Sequence, residues 1–209
     1  MVKNNVIKIG IADDHLLVRD GFVSILNSCK DFEVVFEVSN GKELLKALKE
    51  TQPDIVLLDI AMPVVDGITA IKEMRRKHSR IKIVIISAHS EPGSIIEYVS
   101  MGAVAFLPKI CTKSTLITAI YEVHENGSYF DPATIKLLTR RGVIKERKLT
   151  DGEQLVLKYL CIGKTYEEIA TILKINVRTA KWYKHILLVK TDCEDVPQLV
   201  KYARDNNLV

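Results

Sequence analysis

Three aspartates, a serine and a lysine in this chain stand where they could handle a phosphoryl group. Asp59 closes the run IVLLD at 55–59, Asp13 and Asp14 follow the apolar run at 6–12, Ser87 closes IVIIS at 83–87, and Lys109 follows AFLP at 105–108. An apolar run that ends on a carboxylate must pair it, solvate it or bind a cation there, because burying the charge alone is costly. Three crowded carboxylates repel one another, and oxygen donors favour a hard ion. Mg2+ suits a site that keeps waters and receives a phosphoryl group. Asp59 is then a nucleophile toward phosphorus. Lys109 and the cation would neutralise the phosphoryl oxygens, and Ser87 would hydrogen-bond one of them. Each residue alone has a plainer reading: the Asp pair caps a helix, Asp59 closes a turn, Ser87 says little and Lys109 is surface. Their coincidence at four strand ends is the signal.

The elements needed to bring them together are legible. Apolar runs at 6–12, 32–38, 55–58, 81–86 and 104–107 alternate with helix-like segments at 15–27, 41–50, 67–77, 92–101 and 113–125. The segment 41–50 shows the helical period, with Leu44, Leu45 and Leu48 on one face and Asn40 and Glu43 as start signals. Five strands alternating with five helices predict a doubly wound parallel α/β sheet of flavodoxin-like type. With strand order 2-1-3-4-5, strands 1, 3, 4 and 5 are neighbours, and their carboxyl ends share one crevice.

Composition narrows the class. The chain is 47% hydrophobic and 27% charged over 209 residues, ordinary for one or two soluble domains. No apolar run approaches the ~18 residues of a membrane span, and the short run in MVKNNVIKIGIADD meets acids at once, unlike a signal peptide. Cys29, Cys111, Cys161 and Cys193 are scattered without a CxxC pair, against structural zinc or a disulfide framework. A cytoplasmic protein is expected, with no membrane partner. Residues 1–127 carry 15 Lys+Arg and 16 Asp+Glu, net −1, whereas residues 128–209 carry 15 and 10, net +5. Only the second part invites a polyanion, although so small an excess also fits a solvated basic face.

That second part is helical. Residues 128–148 lack a clear strand, with a short helix at 131–141 and the charged linker RRGVIKERK. From 149 onward, Thr150-x-x-Glu153 and Thr165-x-x-Glu168 form capping boxes. Gly163 stops the first helix, Asn176 can cap a third at 177–190, and Asp195 a fourth at 196–206. The segment YEEIATILK-INV-RTAKWYKHILLVK reads as helix, short turn, helix, the motif that lays its second helix in the major groove. On that helix Val177, Ala180, Leu187 and Leu188 suit the core, while Arg178, Lys181, Trp182 and His185 lie on the other side. Trp182, the single tryptophan, is expected to be exposed there. Lys184 and Lys190 suit phosphate contacts, which position without specifying. The plainer reading is a packing helix with a solvated basic face.

These residues carry two resemblances. Residues 1–127 resemble a response-regulator receiver domain of the CheY type, through Asp13-Asp14, Asp59 with the following Met-Pro and Asp-Gly, Ser87-Ala88 and Lys109. The resemblance implies phosphoryl transfer from a sensor histidine kinase to Asp59. It also implies Mg2+ held by Asp14 directly, by Asp13 largely through water, by Asp59 and by the carbonyl of Ala61. Ser87 and Phe106 match the family's switch residues. Val64 stands where glycine is frequent after Met-Pro, and Pro108 precedes the lysine where many receivers have proline after it. Residues 149–209, beginning LTDGEQLVLKYLCIGKTYEEIATILKINVRTAK, resemble the helix-turn-helix domain of the NarL/LuxR type. That implies base contacts by Lys181, Trp182 and His185 on double-stranded DNA, and a homodimer on phosphorylation. Asp192 stands where a turn glycine is usual, Thr191 replaces a common leucine and Tyr183 a frequent histidine. The resemblances imply three parts: receiver 1–127, linker 128–148, DNA-binding domain 149–209. Two other classes compete. A haloacid-dehalogenase-like hydrolase would carry a second aspartate two residues after the nucleophile, where Ala61 stands. An interaction module without DNA contact would fail a gel shift on random duplexes.

Overall fold

The computed structural model describes residues 6–78, 80–88, 91–143, 149–175 and 177–208, and for Arg178 the backbone alone. Strands and helices alternate through the first part: β1 (Ile7–Ala12), α1 (Leu16–Asn27), β2 (Phe32–Val38), α2 (Gly41–Glu50), β3 (Ile55–Asp59), α3 (Gly67–Lys77), β4 (Lys82–Ser87), α4 (Pro92–Ser100), β5 (Ala105–Pro108) and α5 (Lys113–Asn126). The strands form one parallel sheet in the order β2-β1-β3-β4-β5. Both sheet faces are covered, which is why the central strands read as unbroken apolar runs. Val56, Leu58, Ile83 and Ile85 pack with Leu44, Leu48, Ile71 and Met74 in one core layer, and the alternate residues Leu57, Val84 and Ile86 are equally buried. Asp59 and Ser87 are the last residues of their strands. The ladder holds them there, pairing Asp59 with Ile86 and Ser87 with Pro108.

The helices follow: α6 (Pro132–Arg140), α7 (Asp151–Cys161), α8 (Tyr166–Leu173), α9 (Val177–Thr191) and α10 (Val196–Asp205). Contacts divide the chain into two units, residues 1–130 and 131–209. The short helix expected near 131–141 is α6, capped by Asp131, and it packs along α9. Linker residues 144–148 and the expected cap Asn176 lie outside the described residues. Both capping boxes form with both reciprocal hydrogen bonds, and Asp195 caps α10. Gly163 ends α7 at φ 80°, its N–H donating to Leu160 O. Val156, Leu157, Leu160, Ile169, Ala180, Tyr183, Leu187, Leu199 and Ala203 make this unit's core.

Candidate functional site

The carboxyl ends of β1, β3, β4 and β5 place the acids, Ser87 and Lys109 in one pocket. Asp13 and Asp59 are buried, Asp59 to 2% exposure, while Asp14 is exposed. The Lys109 ammonium, its side chain 10% exposed, donates to Asp59 Oδ2 at 2.7 Å and to Asp13 Oδ1 at 3.0 Å. Asp13 Oδ2 also lies 3.0 Å from the ammonium but accepts no hydrogen bond. Burial pushes the Asp59 carboxyl above its usual range; the Lys109 hydrogen bond opposes this and the neighbouring Asp13 charge adds to it. Burial works against the Lys109 charge, yet its bonds to Asp59 and Asp13 hold the ammonium above its usual value. The backbone fixes these positions. Lys109 N–H donates to Ser87 O at 2.9 Å, tying the lysine loop to the end of β4. Ala61 N–H donates to Asp59 Oδ1 at 3.3 Å, and the Arg19 guanidinium donates to Asp13 O at 2.7 Å. Ser87 is buried at the strand end, and Phe106 is buried in the core layer on α4's side of the sheet.

The turn after Asp59 has its own chemistry. Asp66 caps α3, accepting from Thr69 N–H at 2.7 Å. A Cβ on Gly67 would lie 2.4 Å from Asp59 O, so only glycine lets α3 start against the aspartate's own carbonyl. Between them Val65 N–H donates to Pro63 O at 2.8 Å across Val64, whose φ is 67°. That is a γ-turn with a left-handed centre, a rare and strained geometry, held by a β-branched residue. Four exposed apolar side chains stand on the segments that frame the pocket: Leu16 and Leu17 (86%) after the Asp pair, Val64 (77%), and Ile110 (97%) beside Lys109.

His15 also faces the pocket. Its Nδ1 lies 2.8 Å from Asp14 Oδ1, 3.3 Å from Asp13 Oδ1 and 3.1 Å from Lys109 Nζ. One donor atom each from Asp13, Asp14, His15 and Asp59 falls within 4.8 Å of the others. The donor set fits a divalent cation: three carboxylates converge, and one buried oxygen, Asp13 Oδ2, has no hydrogen bond to satisfy it. The only sequence signal was the position of His15 directly after Asp13-Asp14.

On α9 the outcome is mixed. Lys181 and His185 are exposed and Lys184 is half-buried, its Nζ 3.3 Å from His185 Nε2. Burial, with Lys184 beside it, holds the His185 imidazole below its usual range. Lys181 Nζ sits 5.9 Å from the Tyr166 ring centroid, across the turn. The Arg178 side chain lies outside the described residues. Trp182 is not the exposed ring expected. It is half-buried against the unit's core, edge-on to Tyr183 with centroids 5.1 Å apart. The inner face of α9 is Thr179, Ala180, Tyr183, Ile186 and Leu187, so its apolar stripe reaches round to the indole. Lys190 is no free cation for phosphate either. Its ammonium lies 2.6 Å from both oxygens of Glu153, the buried N3 residue of the α7 capping box.

The comparisons with known proteins fit this geometry. The response regulator receiver domain family matches residues 9–121, and the family of bacterial regulatory proteins of luxR type matches residues 147–203. Response regulator protein VraR of Staphylococcus epidermidis is 30% identical over 208 residues, 97% of this chain and 99% of that protein. Among solved structures, response regulator ChrA of a heme-sensing two-component system shares 27% identity at a TM-score of 0.53, over 98% of this chain and 100% of that one. The two-component response regulator RcsB, in complex with DNA, shares 25% identity at a TM-score of 0.59, over 96% and 98%.

Proposed function

Because the chain belongs to the response-regulator family, joining a receiver domain to a LuxR-type DNA-binding domain, we propose that Asp59 is its phosphoacceptor and that a sensor histidine kinase supplies the phosphoryl group. The protein is a DNA-binding transcription regulator, not an enzyme. One observation carries the reading: the Lys109 ammonium bridges the buried Asp59 and Asp13 at 2.7 and 3.0 Å. A cation held there already faces the position a phosphoryl oxygen would take. An Asp59 oxygen attacks phosphorus as the bond to the donor imidazole breaks. Lys109 then transfers its hydrogen bonds to the phosphoryl oxygens, and the Ser87 hydroxyl donates to another. Asp13, Asp14, Asp59 and the Ala61 carbonyl would hold Mg2+, which when bound neutralises phosphoryl charge.

The apolar side chains of Leu16, Leu17, Val64 and Ile110 favour a protein donor, since exposed apolar surface beside a reactive pocket suits a docking partner. We assign DNA contact to Lys181, Lys184 and His185, with Arg178 and the outer edge of Trp182 beside them, and set Lys190 aside because Glu153 holds its ammonium. Phosphorylation would favour a homodimer on paired half-sites. The proposed compartment is the cytoplasm; among the described residues no helix is long and apolar enough to cross a membrane. Acetyl phosphate with Mg2+ should label the wild type and leave Asp59→Asn unlabelled. Equal labelling of that variant overturns the assignment.

A further inference from the structure

We propose that Tyr166 is a positioning residue for DNA reading: its ring holds the Lys181 ammonium in place for the acceptor edge of a guanine in the major groove. The inference rests on the assignment of Lys181 to DNA contact. Tyr166 opens α8, Lys181 lies in the second turn of α9, and the two helices pack together. Lys181 Nζ stands 5.9 Å from the centre of the Tyr166 ring, inside the reach of about 6 Å at which a ring face attracts a cation. The ring is the anchored partner. Tyr166 leans half-buried on the unit's core, while Lys181 is exposed. A free lysine side chain loses rotamer entropy when it binds, and holding it beforehand reduces that loss.

Helix capping does not account for the aromatic ring. Thr165 and Glu168 close the capping box between themselves, and the Tyr166 side chain takes no part in it. Glu167 and Glu168 are exposed in the same turn, where either carboxylate could compete for the lysine. Glu168 is held by the Lys164 ammonium at 2.7 Å, and the Lys181 ammonium sits over the neutral ring instead. The difference decides what the lysine can do on DNA. A carboxylate would occupy its N–H donors and add a negative charge facing the phosphates. A ring face attracts the charge and leaves the donors free, and lysine donors match the O6 and N7 acceptors of guanine.

The probes are a duplex selected by the full-length protein, with beryllofluoride and Mg2+ present, from a randomised pool, and an unrelated duplex of equal length. Binding is read by fluorescence anisotropy at one salt concentration. Tyr166→Leu should bind the selected duplex about fivefold more weakly and the unrelated duplex as wild type does. Tyr166→Phe, which keeps the ring, should match wild type on both. In the Lys181→Ala background Tyr166→Leu should cost nothing further, because the ring then has no cation to hold. Equal weakening on both duplexes, a loss in Tyr166→Phe as large as in Tyr166→Leu, or the same loss without Lys181 overturns the inference. No change in Tyr166→Leu while Lys181→Ala weakens selected binding also overturns it, but leaves Lys181 on the DNA. Wild-type binding by Lys181→Ala, or no duplex selected at all, overturns both.

Discussion

At the scale of single residues, two left-handed positions carry different loads. Val64 at φ 67° is β-branched and closes a γ-turn, whereas Asp192 at φ 53° is of a type that tolerates this region. Strain of this kind costs about 1–3 kcal/mol, and relieving it with glycine is offset by about 0.4–1 kcal/mol of added freedom in the unfolded chain. Val64→Gly should therefore stabilise the receiver by about 1 kcal/mol in urea unfolding, and Asp192→Gly should change stability less. A destabilised Val64→Gly would mean the turn is not strained. The two lysines of α9 also separate. Lys190→Ala leaves Glu153 buried without its cation and should destabilise the second unit by about 3 kcal/mol. Lys184→Ala should leave stability alone and lower the slope of log affinity against log salt by about 1; an unchanged slope removes Lys184 from the phosphate contacts. None of the Lys190 result was legible beforehand, since its partner stands 37 positions away and charge patterning sees only near neighbours.

At the scale of elements, strands and caps were the readable part. Runs ending on Asp14, Asp59 and Ser87, and the boxes beginning at Thr150 and Thr165, are local signals, and local hydrogen bonds realise them. The inner face of α9 was not readable, because WYKHILLV is apolar at six of eight positions and fits several stripes. Packing chose the one that buries Tyr183, whose hydroxyl fills the space beside Gly152: a Cβ there would meet it at 2.6 Å. The receiver's apolar rim is a prediction at this scale. Leu17→Glu and Ile110→Glu should slow transfer from a phosphorylated kinase at least about tenfold while acetyl phosphate labelling stays normal. Equal loss with both donors would place these residues in the pocket rather than on a docking surface.

At the scale of the whole molecule, the charge division and the two units agree: net −1 up to residue 127 and net +5 beyond it, with contacts dividing the chain at residue 130. Sedimentation with a beryllofluoride phosphate mimic should show a monomer becoming a dimer, with tighter binding to duplex DNA; constant mass and affinity would mark a constitutive regulator. The half-buried place of Trp182 has one more consequence, for how the chain folds. The sheet closes only when β1 finds β3 more than forty residues on, and such distant pairings make folding slow. The unit after residue 131 is built of helices, whose hydrogen bonds are local, and α9 packs on its sequence neighbours α8 and α10, a pattern that folds fast. All tryptophan emission comes from that second unit. In stopped-flow refolding the indole signal should therefore reach its native value first, while far-ultraviolet ellipticity is still gaining the sheet, and simultaneous recovery would mean the two units fold as one.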